Sequence, residues 1–274
     1  MPTIDDLPEG ERPLKPPSVA VAIPCLNEAA AIEMVIEAWR AALPDAAIVV
    51  FDNGSTDGTG NLARALGVRV VNVPERGKGN AVRAAFDSLD DYDLMVMTDG
   101  DGTYPAEEVH RLLAPVLEGE ADMVIGERKP VHELGAMTPL RRTGNFLIRT
   151  AFRVLIGQNP GDMLSGYRVF TRAFRRLVKL RSAGFEIETE LSCEAILHGL
   201  RVVQVQVPYR PRIEGTKSKL RAFRDGRRIL WMIVGESARD APWRLALTLL
   251  VGLMATLVLV GGLAAALGIG PGTS

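Results

Sequence analysis

An α/β fold built on a Rossmann-like layer is predicted by three observations. From Ser18 to about Met123, short β-branched runs alternate with longer segments of helical composition. Polar, acidic and glycine-rich residues follow directly after each run. The chain, at 274 residues with 47% hydrophobic residues, is long enough to bury one large core.

The elements can be taken in order. Residues 1–17 carry five prolines and several acids with no apolar run, and are expected to form a disordered lead-in and not a secretion signal. Strands are predicted at Val19 to Ile23, Ala47 to Phe51, Val68 to Val73, Leu94 to Met97 and Met123 to Ile125. Strands separated by helices pair in parallel through right-handed crossovers, and such sheets bind ligands at the carboxyl ends of their strands. Pro24, Asn27 and Glu28 follow the first strand, Asp52-Asn-Gly-Ser-Thr-Asp57 the second, Arg76-Gly-Lys-Gly-Asn80 the third, and Asp99 with Asp101 the fourth. Past Arg128 helices are expected around Leu140 to Leu155 and Glu186 to Leu197, with a strand at Arg201 to Val207. This half completes the sheet and builds a second side of the site.

The most informative stretch is Met95-Val-Met-Thr-Asp-Gly-Asp-Gly-Thr-Tyr-Pro105, where an apolar run delivers two carboxylates, Asp99 and Asp101, one glycine apart. Asp-Gly-Asp-Gly is also turn composition. Its company favours a cation: Mg²⁺ typically takes one or two carboxylates and completes its shell with substrate phosphates. Asp52 ends a buried strand, where it can accept hydrogen bonds from a base or ribose, and Glu28 stands at the same rim. Ser55, Thr56 or Asp57 caps the following helix. The glycines around Lys78 permit close backbone approach, and the lysine can meet phosphate or base.

Arg128, the Arg141-Arg142 pair and Arg168, preceded by Asp162, would bind an anion together if they converge. Of Glu186, Glu188 and Glu190 at a helix start, Glu188 is expected to face the site. The three histidines lack metal-ligand spacing, and Cys25 and Cys193 read as small buried hydrophobes of a reducing compartment. A formal net charge of −1 speaks against general nucleic-acid binding.

The C-terminal part is different. Arg210 to Arg228 holds eight basic residues against Glu214 and Asp225. Leu220 to Val234 reads as a helix at a bilayer surface. Leu245 to Ile269 runs 25 residues without a charge. At about 1.5 Å per residue that exceeds a hydrocarbon core of about 30 Å, so a transmembrane helix is expected. Positive flanks stay cytoplasmic, which predicts a single-pass protein of the cell membrane with its globular part in the cytoplasm. The expected division is 1–17 lead-in, 18–215 catalytic domain, 216–243 basic loop and interfacial helix, 244–270 membrane span and 271–274 tail.

With these residues in view, the chain resembles the family 2 glycosyltransferases of GT-A fold, in the branch of dolichol-phosphate mannose synthase and bacterial polyprenyl-phosphate glycosyltransferases. The resemblance rests on Ile23-Pro-Cys-Leu-Asn-Glu28, Val50 to Thr59, Gly77-Lys-Gly79, Thr98 to Asp101, Gly126-Glu-Arg128, Asp162 to Arg168, Glu186 to Glu190 and Lys217-Ser-Lys-Leu220. It implies a mixed sheet flanked by helices and an inverting, metal-dependent transfer of a hexose from a nucleotide sugar, GDP-mannose or UDP-glucose, to a polyprenyl or dolichyl phosphate. Asp99 and Asp101 would hold Mg²⁺ or Mn²⁺, Asp101 more directly. Pro24, Asn27, Glu28, Asp52, Ser55, Lys78, Gly100, Arg212 and Lys217 would join them around the nucleotide sugar, and Arg128 and Arg141 would meet the acceptor phosphate. Where the family often has serine four residues after that second arginine, Asn145 stands here. Asp162 and Glu188 complete the candidates for the reacting centre. They would serve as bases if the acceptor were a lipid hydroxyl, and a non-catalytic nucleotide-sugar-binding scaffold is a third reading. A homo-oligomer is left open.

Overall fold

The computed structural model describes residues 16–130, 139–158, 161–213, 222–240, 242–251 and 254. The strands are β1 (Val19–Cys25), β2 (Ala47–Asp52), β3 (Arg69–Asn72), β4 (Leu94–Met97), β5 (Met123–Pro130), β6 (Arg168–Thr171) and β7 (Val202–Tyr209). The helices are α1 (Ile32–Ala42), α2 (Thr59–Ala65), α3 (Lys78–Ser88), α4 (Val109–Leu117), α5 (Pro139–Ile156), α6 (Arg172–Leu177), α7 (Ile187–Leu197) and α8 (Ala222–Asp240).

The strands join in one sheet in the order β3-β2-β1-β4-β6-β5-β7. β3, β2, β1 and β4 are parallel, as the alternation predicts. The sheet is mixed, as the resemblance implies: β6 enters antiparallel between β4 and β5, and β5 itself runs in the same direction as β4. β7 then pairs in parallel with β5. Reversal of β6 brings its entry, residues 161–167, to the rim where β4 and β5 end. That rim therefore collects loops from both halves of the chain.

Strand alternation divides β1 between two cores: Val21 and Ile23 face one side of the sheet, Ala20 and Ala22 the other. On the first side α1 presents Ile32, Val35, Ile36 and Trp39, a spacing that lines one helical face. Trp39 is 1% exposed and meets Tyr167 edge-on. α3 and α7 cover the other side, so both faces of the sheet are dry. A third cluster joins α5 to α8 through Ile148, Phe152, Leu155, Ile229 and Ile233.

Cys25 and Cys193 are both buried thiols and are not joined in a disulfide. Residues 242–251 are helical, and the rest of the expected span to Ile269, apart from residue 254, lies outside the described residues, as does the lead-in 1–15. Among the described residues no helix is long and apolar enough to cross a membrane.

Candidate active site at the carboxyl rim of the sheet

The first two rim loops tie each other in place. The Asn27 N–H donates to Ser55 Oγ at 2.9 Å, the Thr56 N–H to Asn27 Oδ1 at 2.7 Å, and the Glu28 N–H to Thr59 Oγ1 at 2.9 Å. Asn27 takes a positive φ of 55°, which asparagine tolerates better than most residues. Asp52 accepts the Ser55 N–H at 2.9 Å, closing the turn after β2. Pro24 sits where β1 no longer pairs with β4, so its missing N–H breaks no ladder bond on that side.

Asn53, which the sequence did not single out, organises the third loop. Its side chain is 3% exposed, donates to the carbonyls of Val73 (3.2 Å) and Glu75 (2.6 Å), and accepts the Gly77 N–H at 2.6 Å. Gly77 and Gly79 do allow a close approach, but to the chain itself. A Cβ on either would stand 2.0 Å from the carbonyl oxygen of Ala183 or Ser182. Gly79→Ala is expected to destabilise the protein by about 1–3 kcal/mol, read as a lower urea midpoint, because backbone cannot yield as a flexible side chain can.

That contact seats Lys78. Its ammonium lies 2.5 Å from Asp99 Oδ1 and 2.6 Å from Glu188 Oε1. Burial opposes its charge, but the two carboxylates outweigh burial and hold the lysine well above its ordinary value. Burial likewise pushes Asp99 up, and Lys78, helped by Arg212 and Arg128, more than reverses this and holds it below the carboxylate range. Glu186 and Glu190 do other work. Glu190 accepts the N–H groups of Arg181 and Ser182, each at 2.9 Å, and Glu186 accepts that of Gly184 at 3.1 Å.

Asp101 is 2% exposed. Its Oδ1 accepts the Thr103 N–H (3.1 Å) and hydroxyl (2.7 Å), and its Oδ2 lies 2.5 Å from Arg212. Gly100 lets this turn lie flat on β1, since a Cβ there would stand 2.5 Å from Cys25 Sγ. Burial pushes the Cys25 thiol up, and the charges of Glu28, Asp52, Asp99 and Asp101 add to it, so four predicted acids surround one point beneath the rim. Arg212 arrives with the chain leaving β7, where the Arg210 N–H donates to Thr103 O at 2.9 Å. Lys217 lies outside the described residues.

On the far side, Arg128 meets Asp162 through Nε and Nη2, both at 2.7 Å, and through its own N–H at 3.1 Å. Its guanidinium lies 5.4 Å from the centre of the Tyr209 ring. Burial works against both charges; the pairing prevails, holding Asp162 below and Arg128 well above their ordinary values. Arg168 is not at the site surface: it is 0% exposed and bonded to Ser165 O, Met163 O and Ser192 Oγ. Arg141 lies on α5, and its side chain is outside the described residues.

The donor set for a cation is hard and anionic. Among the described residues no group of three or more His, Cys, Asp or Glu side chains forms a complete cage. Two carboxylates now neutralised by Lys78 and Arg212 fit a Mg²⁺ or Mn²⁺ ion that fills its remaining positions from substrate phosphates and water.

This arrangement can be set beside known proteins. Residues 20–177 match the family model "Glycosyl transferase family 2". The chain is 42% identical over 211 residues to Glycosyltransferase AglJ of Haloferax volcanii, covering 77% of this chain and 69% of that protein. It is 34% identical over 207 residues to polyprenol monophosphomannose synthase of Mycolicibacterium smegmatis, covering 70% and 77%. A crystal structure of glucosyl-3-phosphoglycerate synthase from Mycobacterium tuberculosis in complex with UDP superimposes with a TM-score of 0.65 at 25% identity, over 81% of this chain and 80% of that one. A sheet rim carrying paired aspartates, a match over most of the sheet, and relatives that share most of its length together mean that the chain belongs to glycosyl transferase family 2.

Proposed function

We propose that this protein transfers one hexose, with inversion, from GDP-mannose or UDP-glucose to a polyprenyl or dolichyl phosphate at the cytoplasmic face of the cell membrane. One observation carries the choice of acceptor: the two carboxylates named as bases for a hydroxyl acceptor, Asp162 and Glu188, are tied into ion pairs. Asp162 is held by Arg128, and Glu188 and Asp99 by Lys78. A general base works best with a value near the operating pH, and Asp162 is held far from it. A lipid hydroxyl would need such a group. A phosphate monoester, with a second pKa of about 6, is already a nucleophile at neutral pH.

In this reading Glu28 and Asp52 face the nucleoside, and Arg212 turns from Asp101 to the diphosphate. Arg128 and Arg141 orient the incoming phosphate, so binding does most of the catalytic work. A Mg²⁺ or Mn²⁺ ion held by Asp99 and Asp101 would supply charge neutralisation on the departing nucleoside diphosphate.

The membrane side of the proposal rests on α5, α8 and the uncharged run 245–269. α5 has no acidic residue and exposes Phe146, Leu147 and Val154. On α8 the acids Asp225 and Glu236 are buried, while Arg227, Arg228 and Trp231 are exposed. Basic and aromatic groups outward, with these two acids inward, suit an anionic bilayer surface. A tethered domain meets a lipid phosphate at high effective concentration. Polyprenol monophosphomannose synthase, the relative named above, points by its name to the same acceptor class.

Purified protein with Mg²⁺ or Mn²⁺, a labelled nucleotide sugar and undecaprenyl phosphate is expected to form an acid-labile glycolipid. No product from GDP-mannose, UDP-glucose or any other common hexose donor would refute the proposal.

A further inference from the structure

The turn that carries Asp162 is shaped from inside the sheet. Arg168 opens β6 opposite Met97 on one side and Ile125 on the other. Its Nε donates to Ser165 O at 3.0 Å and its Nη2 to Met163 O at 2.8 Å. The Ser165 N–H returns to Asp162 O at 3.1 Å, and Ser165 Oγ donates to Gly126 O at 2.6 Å on β5. Asp162 is thus fixed relative to the strand that bears Arg128.

A guanidinium has two edges able to grip an oxyanion in a fork. Asp162 occupies the side edge, Nε with Nη2, and Tyr209 lies under the plane. Nη1 has no hydrogen-bond partner among the described residues, which leaves the end edge, Nη1 with the second N–H of Nη2, available. We propose that Asp162 is a positioning residue: by holding the side edge of Arg128 it aims the end edge as a rigid fork at the acceptor phosphate. The inference rests on the phosphate-acceptor reading above, and it gives Asp162 a task other than that of a base.

Position and charge predict opposite signs. Asp162 is an anion near the place of a phosphate dianion, so if it acted only through its field, Asp162→Asn would tighten acceptor binding. If it positions Arg128, the same change loosens the fork. Asp162→Asn is expected to raise the acceptor KM by about tenfold or more, as contacting residues in one network commonly couple by that much. The donor KM and the thermal stabilisation by UDP or GDP should stay as in the native chain. Asp162→Glu, which keeps the charge and lengthens the arm by one methylene, should move the acceptor KM in the same direction, and it covers the case in which the asparagine variant does not fold.

The decisive measurement is the cycle with Arg128→Lys. A lysine has no edge to aim, so in that background Asp162→Asn should add little. Independent, additive losses, an acceptor KM that falls, or a native acceptor KM in Asp162→Glu would each overturn the inference. A native enzyme that turns over no polyprenyl phosphate would overturn the acceptor reading and this inference with it; an active native enzyme with additive losses overturns the inference alone.

Discussion

Asp101→Asn is expected to lower turnover by about a thousandfold while leaving the chain folded, a loss of the size seen when one charge-stabilising group is removed from a transfer site. The reason it should fold lies in the division of labour between the two carboxylate oxygens. Oδ1 closes the turn onto the N–H and hydroxyl of Thr103, and an asparagine oxygen can accept both. Oδ2 meets Arg212, whose side chain is 33% exposed and can turn to water, while the amide that replaces Oδ2 stays buried, so losing that pair costs about 1–3 kcal/mol. In a chain of this size each kcal/mol is about 2–4 °C in melting temperature. What the variant lacks is a full negative charge for a cation. Mn²⁺ with a nucleoside diphosphate should raise the melting temperature of the native chain and leave that of the variant unmoved. Turnover within tenfold of the native rate would show that Asp101 does not carry this charge.

Lys78→Met should be the most damaging exchange for stability among the rim residues, at about 3–5 kcal/mol, because it strands buried carboxylates without their cation. The side chains of Lys78, Asp99 and Glu188 are 13%, 23% and 5% exposed, so water can do little to replace it. The pH dependence gives the clearer signature. In the native chain Asp99 is depressed, so its contribution is complete above the unfolded value of about 4 and is lost only as pH falls through the lower folded value. Lys78 is raised, so its contribution is complete below about pH 10. Between pH 5 and 8 the Lys78–Asp99 pair therefore adds no slope to native stability. In the variant the folded state gains by taking up a proton that the unfolded chain does not need, so its stability should rise as pH falls from 8 to 5. Urea titrations at several pH values would show this. A variant with a flat profile, or one within 1 kcal/mol of native, would mean that the lysine does not hold the site together.

Much of this was legible in local patterns. The five strands of the first half stand within a few residues of their predicted places, because an apolar run bounded by glycine and aspartate carries its own limits. β6 was not visible. It is four residues long and opens with a buried arginine, and a charge reads as surface until its acceptors on Met163, Ser165 and Ser192 are seen. Missing β6 also meant missing why the sheet is mixed. The glycines beside Lys78 signalled a close approach, but nothing nearby in the chain names Ser182 and Ala183 as what approaches. Choosing Glu188 among three acids followed the same pattern: a helix start favours all of them, and only the packing of α7 against α3 gives one the lysine and turns the other two to backbone.

By itself the sequence determined the order of the elements in the first half of the chain, the rim on which the polar loops fall, and the acidic and basic residues that furnish it. These depend on spacings of a few residues and on the periods of strand and helix. Only the tertiary structure decided which cation each carboxylate meets: Lys78 with Asp99 across 21 residues, Arg128 with Asp162 across 34, and Arg212 with Asp101 from the far end of the sheet. An ion pair is set by distance through space and by the exclusion of water, and both come into being only when loops distant in the chain pack together at the rim.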